Sequence, residues 1–281
     1  MFKGLVPGGA PQPDRITRRR RARQIVAARL ERLEDLSIGK LVPSTITLMA
    51  LASGITAIRF AVEDSKDKWA IAVALIIAAM IFDMLDGRAA RLLGADSRFG
   101  AQLDSLADLV SFGVAPAVIL YKWSLHDIGN GGWVAALVFC AASAIRLARF
   151  NVEQVRDEGA TKGNPYFTGM PTPAAACMVL LPLLISFQFP DTFMHQAWVS
   201  VLFIAVTSVL MVSRLPTPSI KYMKLQRQHR VAAFIVFAAL GAALIKWPWA
   251  TMTGGLVIYV CTIPFAIFAH HPRYVARRAA R

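Results

Sequence analysis

Apolar residues along this chain collect into eight runs near the length a helix needs to cross ~30 Å of hydrocarbon, about 17–25 residues. They predict membrane helices at Leu41–Val62, Trp69–Asp86, Gln102–Trp123, Trp133–Val152, Thr168–Phe187, Ala197–Val212, Val231–Trp247 and Thr251–Ala269. Ahead of them, Met1–Pro13 is rich in Gly and Pro and is expected to be disordered. Arg15–Ile38 reads as a helix with Val26, Leu30 and Leu33 on one side and arginines around the rest, suited to lying on anionic lipid. No small-residue cleavage site follows a short apolar core, so a signal peptide is not expected. The predicted fold is an all-α integral membrane protein of about eight transmembrane helices with an N-terminal amphipathic interfacial helix. Residues 1–40 form the basic tail and residues 41–281 one membrane domain.

Polar positions that break the apolar pattern are concentrated in one place. Asp83-x2-Asp86-Gly87-x2-Ala90-Arg91-x8-Gly100-x3-Asp104-x3-Asp108 spans the second and third runs. A charged side chain at membrane depth costs at least ~2.5–3.5 kcal/mol, so four of one sign require a function. The i,i+3 and i,i+4 spacings put each pair on one helix face. The chain turns between them near Leu92–Arg98, where Gly94 suits a helix stop and Asp96 or Ser97 an N-cap. Asp96 is therefore read as a cap or surface residue, not a ligand.

Composition sharpens this picture. The chain has 281 residues, 56% of them hydrophobic, and 31 Lys+Arg against 17 Asp+Glu. In a soluble protein that excess would suggest nucleic acid, but here the basic residues follow topology. Ten precede Leu41, and others cluster in alternate connections, around Arg88–Arg98, Arg146–Lys162, Arg214–Arg230 and Arg273–Arg281. The positive-inside rule then places both termini and the aspartate turn on the cytoplasmic side of the inner membrane. No nucleic-acid partner is expected. Cys140, Cys177 and Cys261 lack paired spacing and read as small core residues, and the histidines form no ligand set.

Four close carboxylates cannot all ionise unaided, because like charges resist one another. Divalent cations resolve this, so one or two Mg²⁺ or Mn²⁺ ions are expected, two being preferred, with room left for a substrate phosphate. Gly87, Gly100 and the small Ala90 remove bulk beside the backbone, and Arg91 offers a fork of donors for phosphate oxygens. Together these suit a pyrophosphate-containing substrate with a water-soluble nucleotide end and a lipid end.

The pattern resembles the signature of the CDP-alcohol phosphotransferase family, D-x2-D-G-x2-A-R-x8-G-x3-D-x3-D, with every fixed position present. The resemblance implies transfer of a phosphatidyl-type group from a CDP-linked lipid to an alcohol, with release of CMP. It implies that Asp83, Asp86, Asp104 and Asp108 hold metal, that Asp108 is also the general base, and that Gly87, Ala90, Arg91 and Gly100 contact CDP. It also implies a homodimer. The family usually has Asn after the Pro that opens the first span; Ser44 stands there instead, and Thr47 is the remaining polar candidate.

Between the fixed positions, Phe99–Ala117 is similar to the serine-using bacterial and archaeal branch of the family, as are Arg146–Asn151, Tyr166–Ala175 and Ser213–Ser219. The substrates implied are CDP-diacylglycerol and L-serine. Free serine needs a cation for its carboxylate. Arg146 or Arg149 is expected to supply it, with Asn151, Ser105 or Ser111 adding polar contacts; snorkelling to lipid phosphate is the alternative for the arginines. Pro171 and Pro173 either start a helix or shape a substrate-lining loop. Trp123, Trp133, Trp247 and Trp249 read as interfacial belt residues, and Arg59 snorkels or pairs with Glu63. The same chemistry with glycerol 3-phosphate or an inositol phosphate is the nearest rival, although a phosphorylated acceptor needs a denser basic pocket. Intramembrane prenyl transfer needs a second aspartate motif, and ion transport needs acids spread across the membrane; the chain has neither.

Overall fold

A computed structural model describes residues 38–63, 66–95, 97–157, 167–189, 193–213, 216–217, 239, 241–244, 246–258 and 261. The expected interfacial helix at Arg15–Ile38 except its last residue, Asp96, most of the run Val231–Trp247 and the end of Thr251–Ala269 lie outside these residues.

The described chain is helical apart from one two-residue pairing. Among the described residues, four helical stretches are long and apolar enough to cross a membrane: Leu41–Val62, Asp67–Leu93, Arg98–Trp123 and Asn130–Glu153. They coincide with the first four predicted runs, extended by a few residues where polar ends continue the helix. Helix α1 (Ile38–Val62) doubles back into α2 (Lys66–Leu93). Ala50, Gly54, Ala57 and Ala61 make a buried small-residue face on α1, and Ala72, Val73, Ile76 and Ala79 make a buried face on α2. Small side chains let two backbones approach closely where lipid offers no hydrophobic drive for association. Leu48, Met49, Ile55, Ile81 and Met84 point outward, as a lipid-facing surface requires.

This inward stripe of α2 fixes where its acids go. Ala72, Ile76 and Ala79 recur at intervals of four and three, and Asp83 and Asp86 continue the same series. The turn then ends α2 as expected. Gly94 takes φ +57°, and the Ala95 N–H reaches back to the Ala90 carbonyl at 2.9 Å, a Schellman closure. Ser97 caps α3 (Arg98–Asp108) by accepting the Gly100 N–H at 3.0 Å.

The third span is not a uniform α-helix. Directly after Asp108 it widens into a π-helical turn, Leu109–Val114, before resuming as α4 (Ala115–Trp123). Such turns occur often at functional sites. This one is wedged between neighbours: a Cβ on Gly54 would lie 2.7 Å from the Ser111 Cα, and one on Gly113 would lie 2.9 Å from the Ser143 Cβ. A short 3₁₀ turn (Leu125–Ile128) leads to α5 (Asn130–Asp157).

The predicted fifth run, Thr168–Phe187, does not form one continuous helix. It splits into α6 (Thr172–Val179) and α7 (Leu181–Ser186). Pro182 has no N–H to give the Met178 carbonyl, so the ladder breaks there. Pro171 precedes α6 in extended conformation and Pro173 sits in its first turn, which matches the helix-start reading. Helix α8 (Ala197–Val212) matches the sixth run. Phe167–Thr168 (β1) pairs antiparallel with Pro216–Thr217 (β2), tying the segment after α5 to the segment after α8.

Two aromatic expectations change. Trp123 is a core residue, 6% exposed and edge-on to His195 at 4.9 Å, rather than a belt residue. Trp133 and Trp247 are exposed as a belt requires, whereas Trp249 is half-buried against Phe187. Arg59 lies 3.8 Å from Glu63, which is also bridged by Lys68 at 3.0 Å.

Candidate active site

Three of the four signature carboxylates converge. Asp83 on α2 and Asp104 and Asp108 on α3 each offer an oxygen, and these atoms lie within 4.8 Å of one another. One helix brings the first acid, and a single turn of the next brings the other two, so the group depends on the reversal at Gly94–Ser97. Asp86 stands apart from this trio, yet it is close enough to act electrostatically on Asp83 and Asp104. It is 5% exposed and accepts a 2.6 Å hydrogen bond on Oδ2 from the Thr47 hydroxyl of α1.

The donor set fits a hard divalent cation. It is all carboxylate oxygen, and an ion at about 2.0–2.6 Å from each ligand spans roughly 4–5 Å between them. The Asp104 Oδ1 atom is buried without a hydrogen-bond partner, which is costly for a carboxylate unless a cation meets it.

Around the acids, the small residues differ in role. A Cβ on Gly87 would meet nothing within 4 Å, so this glycine opens onto space beside α2. Gly100 is constrained locally, because a Cβ there would sit 3.1 Å from the capping Ser97 hydroxyl. Ala90 lies one turn beyond Asp86, half-exposed. Arg91 is exposed and folds along its own helix, its Nε donating to the Gly87 carbonyl at 2.9 Å.

The residues expected to meet the acceptor divide in two. Arg146, on α5, donates through Nη1 to the Thr172 hydroxyl at 2.9 Å and through Nε to the Met170 carbonyl, and it acts electrostatically on Asp108. Ser105 donates to Asn151 Oδ1 at 3.0 Å, linking α3 to α5 beside Asp104. Of these three, Arg146 interacts with a signature carboxylate, while Ser105 and Asn151 bond to each other. Arg149 instead donates to the Val212 carbonyl at 2.8 Å, at the C-terminus of α8, where the helix dipole favours a cation. Ser111 is fully buried, and its hydroxyl donates to the Ala50 carbonyl at 3.1 Å; it holds the π-turn against α1 instead of facing the site.

Sequence reasoning passed over the Met170 carbonyl and Thr172. A backbone carbonyl carries no residue signal, although both positions fall within Tyr166–Ala175, one of the segments that resembled the serine-using branch. Gly169 shapes this segment: φ is +82°, and its Cα packs where a Cβ would be 2.9 Å from the Met211 and Ser213 carbonyls.

Residues 40–212 match the family model described as CDP-alcohol phosphatidyltransferase. The chain belongs to that family. The matched span runs from the start of α1 to the end of α8 and so contains every carboxylate of the site. A protein of Mycobacterium leprae named CDP-diacylglycerol–serine O-phosphatidyltransferase is 39% identical over 259 residues, covering 86% of this chain and 84% of its own. A protein of that name from Mycobacterium tuberculosis is 35% identical, covering 86% of this chain and 88% of its own. One from the archaeon Methanocaldococcus jannaschii is 35% identical, covering 62% of this chain and 73% of its own.

Proposed function

We propose that this chain transfers the phosphatidyl group of CDP-diacylglycerol to the hydroxyl of L-serine, forming phosphatidylserine and releasing CMP. The observation that carries the reading is the meeting of Asp83, Asp104 and Asp108 within the family signature. The relatives' shared name supports serine as the acceptor.

Asp83, Asp86, Asp104 and Asp108 would hold the divalent cation, Mg²⁺ or Mn²⁺, with two ions preferred. When bound, the metal supplies positive charge to the pyrophosphate and to the departing CMP. Asp108 takes the proton from the serine hydroxyl as its oxygen bonds to the lipid-side phosphorus and the phosphorus–oxygen bond to CMP breaks. Gly87 leaves room for the nucleotide beside α2, with Ala90, Arg91 and Gly100 contacting CDP. Arg146 supplies the cation for the serine carboxylate, and Ser105 and Asn151 supply polar contacts; Arg149 supports the pocket from the α8 end.

Around this site we place eight spans in a single domain over residues 41–281, preceded by the interfacial helix of the tail. Lys and Arg asymmetry supports a cytoplasm-facing site in the inner membrane with both termini cytoplasmic, and we propose a homodimer.

A CMP-release assay in detergent with CDP-diacylglycerol and a panel of alcohols tests the reading. Serine is expected to drive CMP release, and Asp108→Asn to be nearly inactive while still binding CDP-lipid. Release driven by glycerol 3-phosphate or an inositol phosphate but not by serine would replace the acceptor.

A further inference from the structure

Thr47 has one hydroxyl proton and two acceptors within reach: the Pro43 carbonyl of its own helix at 3.1 Å and Asp86 Oδ2 at 2.6 Å. The carboxylate is the nearer of the two, so it takes the proton. The bond joins α1 to α2 across 39 residues of sequence, and both side chains are 5% exposed. Asp86 is also the one signature carboxylate outside the group of three. Terminal carboxylate torsions are soft, so an unsupported Asp86 could turn away from the other acids.

We infer that Thr47 is a positioning residue for Asp86, holding Oδ2 so that the other oxygen serves the metal site. This rests on the metal reading of the aspartates given above. Thr45 provides a natural control. It is on the same helix and makes the same kind of bond, to the Leu41 carbonyl at 2.8 Å, but it is exposed.

The test is Mn²⁺ affinity of the purified full-length protein, measured by electron paramagnetic resonance without substrate. Thr47→Val, which keeps shape and removes the donor, is expected to weaken Mn²⁺ binding about tenfold or more, the range typical of partners that orient metal ligands. Thr47→Ser should restore it, and Thr45→Val should leave it unchanged. In an Asp86→Asn background, Thr47→Val should have no further effect, because the two residues act as one unit. If valine disturbs packing, Thr47→Ala carries the same expectation. Unchanged affinity in both Thr47 variants, or additive losses with Asp86→Asn, would overturn the inference. Wild-type protein that binds no Mn²⁺ would instead remove the metal reading itself, and this inference with it.

Discussion

Gly54→Ala should damage turnover by moving a helix the substitution does not belong to. A Cβ at this position would lie 2.5 Å from the Ser111 Oγ and 2.7 Å from its Cα, whereas ordinary contact begins at 3.4 Å. The π-turn must therefore retreat from α1 by about 0.7–0.9 Å, an overpacking of roughly 1–3 kcal/mol. It would also strain the Ser111–Ala50 hydrogen bond, worth about 1 kcal/mol. Asp108 lies three residues before Ser111 on the same helical span, so the carboxylate proposed as general base shifts with it. Misplacement near 1 Å can cost ~10²-fold in rate, so a ten- to hundredfold fall in CMP release is expected, with a lowered melting temperature. Adding Ser111→Ala should not restore the enzyme, because it removes the Oγ contact but leaves the Cα and Cβ contacts at 2.7 and 2.8 Å. Ser111→Ala alone should be mild. Wild-type turnover in Gly54→Ala, or full rescue by Ser111→Ala, would refute the argument.

Other outcomes follow from the same geometry. Gly169→Ala places a side chain at φ +82° and 2.9 Å from two carbonyls, so about 1–3 kcal/mol of destabilisation is expected, read as a lower melting temperature and faster proteolysis near the segment after α5. Arg146→Ala should raise the serine KM and leave CDP-lipid affinity near normal, and Arg146→Lys should not restore it, since two directed bonds to Met170 and Thr172 need a planar fork. An unchanged KM would remove Arg146 from the acceptor pocket. Chelation with EDTA should abolish CMP release, and Mn²⁺ or Mg²⁺ should restore it. The same ions should raise the melting temperature, by about 2.7 kcal/mol of stabilisation at a hundredfold excess over Kd.

Local periodicity made much of the molecule legible in advance. Membrane-length apolar runs located the first four spans and α8, and the stop at Gly94 and cap at Ser97 followed from residue chemistry that acts within a few positions. The pairing of Asp83 with Asp86, and of Asp104 with Asp108, on single faces came from helical spacing alone. The break at Pro182 was also visible in the residue, yet its neighbours' apolar character outweighed it in a reading based on hydropathy.

Long-range contacts decided the rest. Asp86 stands outside the trio, and one of its oxygens is held by Thr47, 39 residues earlier. Ser111 faces packing because Gly54 opens a notch for it, and the π-turn that sets this orientation has no spacing signature. Arg149 closes α8 and Arg146 braces the Met170–Thr172 segment, although both sit one turn apart on the same helix with the same chemistry. Spacing along one helix is set by its own backbone and can be read from residues. Which acceptor a long side chain finds depends on carbonyls and hydroxyls brought near by other helices, and only packing in three dimensions supplies them.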